Sequence, residues 1–209
     1  MAVAVAQEAT PTAFNGTQIS LSGVGAASTL VLAYVGTNPI TSISDNASIH
    51  YTWTEIQGVY TAGSGNNTQV WQGVGGGGGA VTATIVGGSG GLLMYELTGT
   101  NLTSPVDTSN TSTYTGTSFT TVTMTPSTTG ELVFFALWSS SGVFGGAPSS
   151  PWVSDDSLAY LNATYQPGVA SGTGYSTTWS SASGPWSGIG IVFKAAAPVS
   201  QPGLLLSLL

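Results

Sequence analysis

In the stretch SISDNASIHY, Asp45 and the chain's one histidine, His50, lie five residues apart among serines. A carboxylate, an imidazole and a hydroxyl are the parts of a Ser–His–Asp triad. No nucleophile elbow surrounds SIHY, so His50 reads as a turn or strand-entry residue. With no cysteine and a single histidine, a zinc site of the usual nitrogen and sulfur ligands cannot be assembled. Asp155 and Asp156 in PWVSDDSLAY could offer oxygens to calcium, but an isolated pair reads as solvated loop carboxylates. Glu55, Glu96 and Glu131 sit in strand-like segments. They leave a glycosidase-type carboxylate pair arithmetically open, and strand-edge placement explains them equally well. The run GVGGGGGA (73–80) contains G-x-G-x-x-G, yet the segment after it, AVTATIV, is strand-like where a dinucleotide site needs a helix. It reads as a hairpin loop. Lys194 ends the apolar IVFK, where a lysine can form an isopeptide bond with Asn or Asp or simply snorkel at a strand end. No catalytic residue, metal or cofactor is expected.

The recurrent motif is N-x-[ST], at Asn15, Asn46, Asn66, Asn101, Asn110 and Asn162. Each is a candidate N-glycan acceptor. Charged residues are 4% of the chain, against about a quarter in an ordinary soluble domain. Ser, Thr, Asn and Gly stand in for them, and neutral glycans would supply the missing solubilising layer. One Lys and no Arg exclude a basic patch, and with it phosphate-led nucleic-acid binding.

Positioning falls to strands. Short β-rich runs alternate with Gly, Ser, Asn and Pro clusters, and helix signals are almost absent. TLVLAYV (29–35) and ELVFFALW (131–138) are nearly continuous apolar runs, as expected of central strands covered on both faces. The pattern predicts an all-β fold: a two-sheet antiparallel β-sandwich, Ig-like or jelly-roll-like, over residues 15–197. Residues 1–14 form an N-terminal tail and residues 198–209 an apolar C-terminal tail. No apolar run reaches the length of a membrane span.

The segments STLVLAYVG, SISDNASIHYTW, GGAVTATIVGGSGGLLMYELTG, TSPVDTSNTST, GELVFFALW and GPWSGIGIVFKAA resemble a β-sandwich module of secreted bacterial and archaeal surface proteins. The match covers most of 28–195, and its motifs are structural. The charge-poor, sequon-rich composition and the free N-terminal strand further resemble the subunit of archaeal thread filaments. That resemblance implies a secreted, N-glycosylated cell-surface fibre whose subunits join head to tail by donor-strand complementation. The expected partner is the chain itself, as a homopolymer, with other cells or surfaces as adhesive targets. AVAVAQ would be the donor strand, with Val3 and Val5 pointing into the acceptor core and Ala2, Ala4 and Ala6 facing outward or towards a covering loop; the alternatives are a leftover signal-peptide end or a strand that folds back onto its own sheet. EATPT would be the linker, and GLLLSLL (203–209) is the rival donor. The alternative function is a carbohydrate-binding or adhesive sandwich with Trp152, Trp179 or Trp186 as sugar platforms.

Overall fold

The computed structural model describes residues 1–61, 63–142, 144–145, 148–155, 158, 160–180 and 184–197. The first half of the chain supplies β1 (Ala4–Glu8), β2 (Thr12–Gly16), β3 (Gln18–Val24), β4 (Thr29–Gly36), β5 (Ser42–Asp45), β6 (Thr52–Thr61), β7 (Asn66–Val74), β8 (Gly79–Val86) and β9 (Gly90–Thr98). The second half supplies β10 (Val106–Thr115), β11 (Ser118–Thr120), β12 (Glu131–Ser139), β13 (Val153–Asp155), β14 (Leu161–Val169), β15 (Thr178–Ser180) and β16 (Pro185–Phe193). The fold is all-β, and its strand pairings are antiparallel.

Two principal sheets pack face to face. One runs β1-β9-β4-β7-β6, with β2 also on β9, and the other runs β10-β16-β12-β14-β13. Each carries a smaller sheet on its outer face, β3-β8-β5 on the first and β11-β15 on the second. The expectation of two sheets therefore covers only the inner layers. The outer layers explain the continuous apolar runs. In β4, Val31, Ala33 and Val35 enter the core between the principal sheets, while Leu30, Leu32 and Tyr34 enter the core under β3-β8-β5. In β12, Leu132, Phe134 and Ala136 face the central core, and Val133, Phe135 and Leu137 face the core under β11-β15. Side chains alternate across a strand, so a strand covered on both faces must be apolar at every position.

The glycine run does not close a hairpin. It joins β7 of a principal sheet to β8 of the outer sheet. Gly75 and Gly78 hold positive φ (79° and 76°), and a Cβ at Gly76 would collide with the Tyr51 ring. Such a corner needs residues without side chains. Strand β10 lacks an apolar alternation because it is a half-exposed edge strand that, among the described residues, pairs with β16 alone.

Candidate functional site

The first sixteen residues run along one edge of β9 instead of extending from the head. Strand β1 pairs Ala4 with Thr98, Val5 with Leu97, Gln7 with Glu96 and Glu8 with Tyr95. Ala6 is the extra residue of a bulge between Val5 and Gln7. Beyond the ladder, the Val3 N–H donates to the Gly130 carbonyl at 2.8 Å, just ahead of β12 in the opposite principal sheet. The segment thus bridges the two principal sheets. Val3 is 1% exposed and belongs to the central core, and Val5 packs against that core. Ala2, Ala4 and Ala6 are exposed. Gly99 (φ 73°) allows a close approach, since a Cβ there would strike the Ala2 carbonyl. Ala9, whose N–H donates to the Met94 carbonyl at 2.8 Å, ends this contact, and Thr10 and Pro11 lead into β2.

The groove is not purely apolar. Glu96 lies near the end of β9, 3% exposed. Its Oε1 accepts from the Gly25 N–H at 2.7 Å and the Ser28 hydroxyl at 2.5 Å, and its Oε2 accepts from Gln7 Nε2 at 2.6 Å. On the other face of β1, Glu8 Oε1 accepts from the Tyr165 hydroxyl of β14 at 2.6 Å. The arrangement can grip an extended strand by backbone bonds, apolar knobs and two polar anchors. Sequence reasoning weighed Glu96 only as a strand-edge or glycosidase-type carboxylate and gave Gln7 no role of its own within AVAVAQ. The available signal was a single acid inside LLMYEL, in a chain with almost no charge.

The remaining candidate residues are dispersed. Asn15, Asn46 and Asn110 are exposed, and Asn66 and Asn101 are half-buried. Asn162 is 0% exposed within β14, out of an enzyme's reach in the folded head, so it is withdrawn as a glycan acceptor. Lys194 Nζ stands 4.0 Å from Asp107 Oδ1, a partly exposed ion pair. The structure does bring His50 and Asp45 together, at 3.2 Å, with the imidazole 72% exposed. Asp45 also accepts from the backbone N–H groups of Ala47 and Tyr51 (both 3.0 Å) and from Trp53 Nε1 (2.9 Å). Burial of this carboxyl pushes its pKa up, but these bonds outweigh burial and hold it below the usual carboxylate value. Asp45 therefore organises the loop after β5.

A further triad-like signal, the G-x-S-x-G match GGSGG at 87–91, places Ser89 in a turn between two strands. A nucleophile elbow needs a helix after the turn. Trp179 of β15 and Trp186 of β16 are buried in the core between β11-β15 and the second principal sheet and offer no sugar platform, and Trp152 packs on Phe135 and Tyr175. Asp155 lies in β13, while Asp156 and the apolar 203–209 lie outside the described residues. Among the described residues no group of three or more acidic or imidazole side chains gathers where a metal could sit, and no helix is long and apolar enough to cross a membrane. No family model, curated protein or solved structure matches the chain.

Proposed function

We propose that this chain is the structural subunit of an extracellular, N-glycosylated cell-surface filament, built head to tail by exchange of the N-terminal strand. Residues 1–8 of one subunit leave their own β9 and fill the same groove in the next. One observation carries the reading: the first strand, β1, follows Val3, which enters the central core and bridges to the opposite sheet, yet among the described residues β1 pairs with β9 alone. Burying each such valine is worth about 1.5–3 kcal/mol. An identical strand from a neighbour makes the same contacts, so exchange costs little in bonding. A strand passed forward without return never closes, and this geometry gives a fibre. The charge-poor surface and the accessible sequons at Asn15, Asn46, Asn66, Asn101 and Asn110 support a glycosylated exterior.

Electron microscopy of the secreted protein tests the proposal. The full chain should form long thin fibres, and a variant lacking residues 1–8 should form none. Fibres that persist without these residues would move the donor role elsewhere. Intact mass should exceed the 20.9 kDa of the polypeptide by several glycan increments, with Asn162 unmodified in peptide maps. A bare polypeptide mass contradicts the glycoprotein reading.

A further inference from the structure

Glu96 depends on two different parts of the chain. Gly25 and Ser28, which serve Oε1, lie in the connection between β3 and β4 and remain with the head whatever β1 does. The donor to Oε2 is Gln7, on the terminal strand itself. If β1 leaves the groove, Oε2 loses its Gln7 donor while Oε1 keeps Gly25 and Ser28, and a strand that refills the groove without a donor would bury that oxygen unpaired, which is costly. An incoming strand must therefore present a donor at this one position.

The same pair is sensitive to register. Register partners in an antiparallel pair share a face, and a one-residue slip moves a neighbouring side chain into the contact. Slipping β1 either way brings Ala6 or Glu8 opposite Glu96. Ala6 offers no donor, and Glu8 sets carboxylate against carboxylate. In register, Glu8 instead reaches the Tyr165 hydroxyl across the sandwich. The Ala6 bulge allows both anchors, because Val5 and Glu8 then face the central core side while Gln7 faces Glu96.

We propose that the Gln7–Glu96 bond, seconded by Glu8–Tyr165, is a key that sets the register of the exchanged strand and selects the N-terminal segment of a second copy of this chain as its occupant. This rests on the strand-exchange reading above. Gln7 and Glu96 are the specificity-determining residues, and Val3 and Val5 supply affinity without selecting.

The test exchanges the two side chains. Gln7→Glu sets two carboxylates together. Glu96→Gln leaves an amide whose oxygen still accepts from Gly25 and Ser28 and whose nitrogen can donate to a carboxylate at position 7. Loss of a charge-assisted hydrogen bond changes an equilibrium by about tenfold to a hundredfold. Purified Gln7→Glu subunits should lose polymer yield by at least that factor. Mixing them with Glu96→Gln subunits should restore fibres in which the two variants alternate, because every junction then pairs an amide with a carboxylate. The double variant Gln7→Glu/Glu96→Gln should polymerise alone. Thermal melting of the soluble subunits reads the pair without reference to assembly, and there too the double variant should recover what Gln7→Glu loses. If the wild type polymerises but neither mixing nor the double variant rescues Gln7→Glu, the key is overturned and strand exchange stands. If the double variant recovers thermal stability while no chain, wild type included, forms fibres, strand exchange fails, and with it the selection of a second copy.

Discussion

Glu96 on β9 and Glu131 on β12 are both buried carboxylates, but they are satisfied in different ways. Glu131 accepts from the N–H and hydroxyl of Thr128, three residues upstream in its own loop (3.2 and 3.0 Å). The donors to Glu96 lie 68, 71 and 89 residues away in sequence, and one of them, Gln7, sits on β1. A carboxylate capped from its own loop belongs to the strand start and travels with it. A carboxylate served from β1 reports whether that strand is in place. The contrast separates a part of the molecule that only folds from a part that can also assemble.

The largest effect should come from Val3→Asp, which puts an unpaired carboxylate into the central core. It should abolish fibres as completely as deleting residues 1–8, whereas Ala4→Ser, at an exposed position, should leave fibre yield unchanged. Equal yields from Val3→Asp and the wild type would show that the strand is not gripped through its valines. Next in size, Glu96→Ala strips the partner from three donors and should cost roughly 2–4 kcal/mol and most of the fibre yield. Glu131→Ala should lower the melting temperature by less and leave assembly of the folded fraction intact. If both variants depress assembly in proportion to lost stability, the distinction between the two carboxylates disappears.

The smallest effects concern Asp45, a third acid, buried by its side chain but remote from β1. Its folded pKa is held below its unfolded value. Its stabilising contribution is therefore complete above the ordinary aspartate range, near 3.9, and is lost as pH falls through the lower, folded value. Asp45→Asn should be less stable than the wild type at neutral pH, with the gap narrowing in acid. His50→Ala removes only an exposed donor and should shift acid unfolding slightly, without touching fibres. A gap that widens on acidification would reverse the assigned sign.

Much of this was legible in the residues, for identifiable reasons. TLVLAYV and ELVFFALW announce strands covered on both faces because no solvent face interrupts them. The alternation of AVAVA announces which side chains of the first strand turn inward. Where that strand lies was not legible, because a strand pattern says nothing of its partner. The outer sheets escaped notice for the same reason. Strand β10 was hidden by its Ser and Thr, which suit a half-exposed edge but carry no apolar period. Asn162 fits the sequon as well as Asn110 does, since a three-residue motif cannot encode burial. Glu96 looked like strand-edge placement because its partners are distant in sequence.

Whether the groove is filled by the chain's own strand or by a neighbour's is the central question, and a cysteine pair reads it directly. The chain has no cysteine, so Ala4→Cys with Thr98→Cys introduces one possible bridge. Antiparallel register partners lie about 4.5–5.5 Å apart, within disulfide reach. Fibres of this variant, oxidised and run on a denaturing gel without reductant, should give a ladder of covalent multimers that collapses to the monomer on reduction. Fibres that yield only internally bridged monomers would place each strand in its own subunit and contradict assembly by strand exchange.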